Sequence, residues 1–274
     1  MFRVHNKTRS KREIESELFL LNHLKNQNLT VPTGKKNRNG EYVLEFENLD
    51  ETTLYITLMT WITGDVLASA PTEIQAKKVG CLLAKLHDAS TSFVLEENHL
   101  FPQWGLETFC GNMKKLSQYH GIFLSDDGWD LYQSVADKIL MELEKVPKCS
   151  QNYGLIHGDF HLENIIFKED VSFLIDFGRR GYDYFLSDIA STILGLDWQK
   201  RKKFVEGYIS FRKLEEGDER LLETLFIKVM IENYCHHCSN PNETKGLLAE
   251  QPYAQAYMQA YLQGQSFLFE PLEL

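Results

Sequence analysis

The octet His157-Gly158-Asp159-Phe160-His161-Leu162-Glu163-Asn164, followed by Ile175-Asp176-Phe177-Gly178, concentrates this chain's oxygen chemistry in one stretch. Between the two lie the strand-like runs Ile165-Ile166-Phe167 and Ser172-Phe173-Leu174-Ile175, around the charged turn Lys168-Glu169-Asp170. A hairpin of that kind brings Asn164 and Asp176 to the same end of two paired strands. Two hard oxygen ligands then meet where a hydrated Mg²⁺ can bridge phosphate oxygens. Asp159, at the head of the loop, is placed to orient a hydroxyl and take its proton. Phosphoryl transfer asks for just this: neutralised phosphates, an aligned hydroxyl and one carboxylate. Each half alone would also read as a turn in which Asp and Asn cap the backbone; both halves at this spacing favour chemistry.

The elements that must position these residues follow from periodicity. Residues 1–5 read as a short strand. Ser10 to Asn26 reads as a helix, with Ser10 and Glu13 as a capping box and Ile14, Leu18, Leu21 and Leu24 at helical spacing. Val31 to Gly34 is a turn. Glu41 to Phe46 and Leu54 to Met59 are strands of a short antiparallel sheet, separated by the acidic loop Glu47-Asn48-Leu49-Asp50-Glu51. Gly64 marks a change of lobe, and a helix runs from Pro71 to about His87. Residues 98–125 read as an irregular insertion that shapes the substrate side of a cleft. Gly128 to Lys145, Phe185 to Leu196, Trp198 to Arg212, Asp218 to His237 and Glu243 to Phe269 carry helical patterns. A sheet-containing front and a helical back make an α+β chain.

The Asp-to-Asn gap and the later Asp-Phe-Gly resemble the protein-kinase pattern H-R-D-x-x-x-x-N and D-F-G, with Gly158 in place of the Arg. His157-Gly158-Asp159 with His161 and Asn164, Ile175-Asp176-Phe177, Asp183, and Ser187-Asp188-Ile189-Ala190 resemble the aminoglycoside phosphotransferase and choline kinase-like family. The opening, Leu58 to Gly64 and Leu83 to His87 are similar to a bacterial branch near type II homoserine kinase-like and stress-response kinase-like proteins. The resemblance implies a protein-kinase-like two-lobed fold: a truncated N-terminal β-sheet lobe over residues 1–64 and a large helical C-terminal lobe over 65–274. It implies ATP and Mg²⁺ as cofactors. Asp159 would be catalytic, Asn164 and Asp176 would hold the metal, and Arg3 paired with Glu17 would position phosphates. Backbone groups near Met59 to Trp61 would meet adenine, His157 would shape the loop, and Asp188 would hold it by hydrogen bonds. The acceptor would be a small-molecule hydroxyl of the aminoglycoside, amino alcohol, homoserine or amino sugar class, with protein Ser/Thr left open. The alternative is a non-catalytic, kinase-shaped binding or structural protein.

Three departures stand out. Arg3 occupies the position where protein kinases and many relatives carry Lys. Gly178, Arg179 and Arg180 stand where the related branch often has a further carboxylate. The two arginines read as a solvated turn, with an anionic phosphate or substrate as the other use. The third departure is that Arg3 already lies in the cation-bearing strand. The resemblance therefore implies that about 50 residues, including a glycine-rich hairpin, are absent before it. From this come the expectations of weak Mg-ATP binding, slow turnover and self-association through an exposed strand edge.

Composition narrows the partners. A formal net charge of −10 argues against nucleic acid and favours cationic or neutral substrates. No apolar run reaches the roughly 18–20 residues of a membrane span. Five scattered cysteines fit a reduced cytoplasm better than a disulfide framework. Cys235-His236-His237-Cys238 lacks the second ligand pair of a zinc site and reads as a helix end. The aromatics Trp61, Trp104, Tyr119, Tyr182 and Tyr184 could line a cationic pocket, but packing explains most of them, and none is assigned to the substrate as a side chain.

Overall fold

Ser10 starts the first helix, α1 (Lys11–Asn26), by the expected exchange: Ser10 Oγ accepts from the Glu13 N–H at 3.3 Å, and Glu13 Oε2 accepts from the Ser10 N–H at 2.7 Å. The computed structural model describes residues 1–47, 53–67, 69–95, 97, 99–169 and 171–272. Ile14, Leu18, Leu21 and Leu24 form the buried stripe of α1, each worth roughly 1.5–3 kcal/mol on full burial. Glu17 lies inside that stripe, 2% exposed.

The stripe packs beneath a small antiparallel sheet. Strands β1 (Phe2–Val4), β2 (Gly34–Lys35) and β3 (Val43–Glu47) all pair with β4 (Thr53–Met59). Arg3 and Val43 both lie opposite Thr57, so the three share one face of the sheet. Period-two alternation puts Phe2, Val4, Leu44, Phe46 and Leu58 on the other face, where they remain exposed. Most of the acidic loop read at 47–51, and Asp170 of the charged turn, lie outside the described residues. Beyond the sheet, Gly64 takes φ +144°, and a Cβ there would stand 2.4 Å from the Phe167 carbonyl oxygen. Only glycine lets the next residue, Asp65, exchange both backbone hydrogen bonds with Phe167.

The larger part of the chain is helical: α2 (Glu73–Thr91), α3 (Leu106–Tyr119), α4 (Asp126–Leu143), then two hairpin-like pairs and four further helices. Strand β5 (Tyr153–Ile156) pairs with β8 (Gly181–Tyr184), and β6 (Ile165–Lys168) with β7 (Val171–Leu174). Helices α5 (Phe185–Leu194), α6 (Trp198–Ile209), α7 (Asp218–His237) and α8 (Thr244–Gln263) complete the core. Helices α2 and α6 cross in close contact. A Cβ on Gly80 would fall 1.9 Å from the Phe204 carbonyl oxygen, and one on Gly207 would fall 2.0 Å from that of Lys77.

Two expectations are corrected. Residues 98–125 contain the 14-residue helix α3, opened by Gly105, whose N–H donates to Thr108 Oγ1 at 2.9 Å. Its buried Phe109 and Leu116, with Leu106 and Met113 beside them, give a helical stripe that Cys110, Gly111 and Asn112 obscure in sequence. The last helix stops at Gln263 rather than Phe269, because Gly264 adopts φ +72° and terminates it.

Candidate active site

The β6–β7 hairpin sets the site's geometry. The Ile175 N–H donates to the Asn164 carbonyl at 3.0 Å, extending the ladder by one step, so Asn164 and Asp176 sit at the same open end. Asp176 is left-handed (φ 58°, ψ 72°), a conformation Asp tolerates better than most residues. Its Oδ1 accepts from the Gly178 N–H at 3.2 Å and from Arg3 Nη2 at 3.0 Å. Asn164 Nδ2 donates to the Asp159 carbonyl at 2.9 Å and to Asp159 Oδ2 at 3.2 Å. These bonds engage neither Asn164 Oδ1 nor Asp176 Oδ2, two hard donors of the kind a divalent cation takes.

Asp188, 1% exposed, anchors the loop from behind. It accepts from the His157 N–H at 2.7 Å, the Gly158 N–H at 2.9 Å and His87 Nε2 at 3.1 Å. His87 is neutral: burial lowers its pKa, and its Nδ1 accepts from the Tyr208 hydroxyl at 2.9 Å. The α2–α6 crossing therefore feeds directly into the loop, since His87 comes from α2 and Tyr208 from α6. His157, also held neutral by burial, donates from Nε2 to the Ile175 carbonyl at 3.0 Å and ties the two halves of the site together. Gly158 takes φ +75°, and a Cβ there would lie 2.2 Å from the Arg179 carbonyl oxygen, so no side chain fits at this position.

Asp159 is half-buried. Burial alone would raise its pKa; His161 and then Arg179 outweigh burial and hold it below the usual carboxylate range. His161 Nε2 stands 3.6 Å from Asp159 Oδ2 and 3.0 Å from Asn164 Nδ2. The Asp159 carboxylate raises the His161 pKa against the effect of burial.

The third group converges on Glu17. Arg3 Nη1 meets Oε1 at 2.7 Å, Arg9 Nη1 lies 2.7 Å from Oε2, and Arg180 Nη1 lies 3.7 Å from Oε2. Burial would raise the Glu17 pKa; the three guanidiniums overturn that and lower it. Arg3 thus bridges Glu17 and Asp176. The reading of Arg180 as part of a solvated turn is overturned: it is 3% exposed and donates to the Glu13 carbonyl on α1. Arg179 is exposed, with its guanidinium 6.0 Å from the Trp104 ring.

The Met59 backbone is paired with the first residue of the chain. Its N–H donates to the Met1 carbonyl at 2.8 Å, and its carbonyl accepts from the Met1 amino group at 2.9 Å. Trp61 is 68% exposed. A cavity of about 1670 Å³ opens beside Asp159, lined among others by Trp104, Arg179, Lys228, Glu232 and His236. Buried Lys228 holds Glu232 at 3.0 Å. Sequence reasoning missed His87, Tyr208, Arg9, Lys228 and Glu232. Only His87 carried a signal, as the last residue of the stretch Leu83-Ala84-Lys85-Leu86-His87 on which the resemblance partly rests.

The chain belongs to the phosphotransferase enzyme family, whose model matches residues 1–222. It is 26% identical over 239 residues to an uncharacterized protein of Synechocystis sp., covering 85% of this chain and 65% of that one. It is 28% identical over 232 residues to the homoserine kinase of Parvibaculum lavamentivorans, covering 78% of this chain and 67% of that one. The chain therefore spans about two thirds of the length of these curated relatives. Among solved structures, a microcompartment-associated aminopropanol kinase superposes with a TM-score of 0.84 at 21% identity, over 98% of this chain and 87% of that one. An amicoumacin kinase in complex with AMP-PNP and Ca²⁺ gives 0.78 at 14% identity, over 99% and 83%. The fold is kinase-like, with a small sheet lobe and a larger helical lobe.

Proposed function

We propose that this chain is an ATP- and Mg²⁺-dependent phosphotransferase acting on a small-molecule hydroxyl, with lobes of residues 1–64 and 65–274. The observation that carries this reading is the continuous network Glu17–Arg3–Asp176, together with Asn164–Asp159 at the same hairpin end. Asp159, ionised at neutral pH, would orient the acceptor hydroxyl and accept its proton as the new O–P bond forms and the bond from the γ-phosphorus to the bridging oxygen breaks, releasing ADP. Asn164 and Asp176 would hold the metal, and Arg3, steadied by Glu17, would meet phosphate oxygens. Bound Mg²⁺ would supply charge neutralisation on the phosphates. The amicoumacin kinase that holds AMP-PNP and Ca²⁺ supports a nucleotide and a divalent ion as ligands of this fold. Backbone groups near Met59 to Trp61 would meet adenine. Acceptors of the amino alcohol, homoserine, amino sugar and aminoglycoside classes fit the large cavity and its carboxylate Glu232. All five cysteines are free, which supports a reducing, cytoplasmic setting.

The test is a panel of such acceptors with Mg-ATP, read by mass spectrometry for addition of one phosphoryl group. Asp159→Asn should lower turnover by about 10²–10⁴-fold with nucleotide affinity nearly unchanged. Wild-type turnover in that variant would refute the assignment of Asp159. A chain that neither turns over any acceptor nor binds Mg-ATP would be a kinase-shaped binding protein instead.

A further inference from the structure

Arg180 joins the loop after Asp176 to α1 from beneath, and nothing in the proposed chemistry uses it. Its guanidinium is 3% exposed. Nη2 donates to the Glu13 carbonyl on α1, Nη1 reaches the Gly178 carbonyl at 3.5 Å, and Nη1 also stands 3.7 Å from Glu17 Oε2. Its backbone N–H donates to the Phe177 carbonyl at 3.3 Å, and the guanidinium lies 5.4 Å from the centre of the Phe101 ring. Its Nε is buried without a hydrogen-bond partner among the described residues.

Burying a cation this deeply is costly unless its partners require it there. Those partners sit on two separate segments. Glu13 and Glu17 belong to α1; Phe177 and Gly178 belong to the turn that starts at Asp176. Arg3 connects β1 to the same pair, giving Nη1 to Glu17 and Nη2 to Asp176. Asp176 is in a left-handed conformation and is half-exposed, so the hairpin alone fixes it weakly. A forked guanidinium presents donors from separate nitrogens in one fixed plane, so it can reach a helix carbonyl, a loop carbonyl and a carboxylate that lie apart, whereas an ammonium presents its three donors from a single point.

We propose that Arg180 is a positioning residue. It staples the loop 176–180 to α1 through Glu13 and Glu17, and so fixes Asp176 relative to Asn164 and Arg3. This role rests on the phosphotransferase reading for its purpose but not for its mechanics. In a chain without the staple the loop keeps only the Arg3 bridge to α1, and Asp176 is held less tightly for a metal. Glu17 keeps Arg3 and Arg9 in that case, so its charge remains compensated.

The test compares wild type, R180M and R180K as the full 274-residue chain. Amide hydrogen exchange is measured first, without nucleotide, on peptides covering 175–181, α1 and α4. In R180M, exchange at 176–181 should quicken by about tenfold or more, with α4 unchanged; R180K should fall between. Mg²⁺ titration of ATP binding follows. R180M should need about tenfold more Mg²⁺ for half-maximal binding, while ATP binding in EDTA stays as in wild type, a split that a merely structural role would not produce. Unchanged exchange at 176–181 overturns the staple, as does quickening spread evenly over α4. Should R180M fail to fold, R180K decides by the same peptides: wild-type exchange overturns the proposal, and faster local exchange supports it. If wild type itself does not bind Mg-ATP, the phosphotransferase reading fails, and the exchange data alone decide the staple.

Discussion

At the scale of single residues, Asp159, the carboxylate proposed to orient the acceptor, has a competitor. Below its raised pKa, His161 is a cation beside Asp159 and draws on the oxygen that a hydroxyl would use. Above that pKa, neutral His161 can accept from Asn164 Nδ2 instead, which leaves Asp159 to the acceptor. Asp159 itself, with its pKa depressed, stays ionised throughout. Turnover should therefore climb with pH through a midpoint above 6.5, the ordinary histidine value, and His161→Asn should remove that limb. A pH–rate profile with the same limb in the variant would rule this out. Asp159, Asn164 and Asp176 were legible in sequence because one hairpin holds them within a short span. Arg180 and His87 were not, since their meanings lie in partners far along the chain: Arg180 reaches back to Glu17, and His87 forward to Asp188. A guanidinium's burial is invisible until those distant segments are brought together.

At the scale of elements, helix α1 and the hairpin were readable because capping and periodicity are local properties. The helix α3 was not, because poor helix formers break its stripe and α7 supplies the packing that stabilises it. The pairing of β5 with β8 likewise joins short strands separated by the whole β6–β7 hairpin. The α2–α6 crossing matters most for the site, because it sets His87 and Tyr208 behind Asp188. Gly80 and Gly207 let the two backbones approach, and an added methyl at either meets a carbonyl oxygen rather than a flexible side chain. Gly80→Ala and Gly207→Ala should each cost about 1–3 kcal/mol of stability and lower turnover along with it. Thermal unfolding that leaves Tm unchanged in both variants would show that the crossing is looser than the structure has it.

At the scale of the whole molecule, buried neutral histidines give the fold an acid limit. Burial first, then Arg3 and Arg9, lowers the His5 pKa to about 4; burial lowers His87 and His157 as well. The unfolded chain takes up a proton near pH 6.5 that folded His5 refuses until about pH 4, so in that window the unfolded state binds more protons. Stability should fall as pH drops from 6.5 towards 4, and His5→Gln should shallow the fall; equal Tm slopes in the two proteins would count against it. The larger question is whether the two parts of the fold meet as a nucleotide–metal centre. Calorimetry of ATP with the 274-residue chain, with and without Mg²⁺, and with Asp176→Ala beside wild type, addresses it without needing the acceptor. ATP binding that Mg²⁺ strengthens in wild type and no longer strengthens in Asp176→Ala is the expected result. No binding at millimolar ATP, or identical isotherms for the two proteins, would contradict the account.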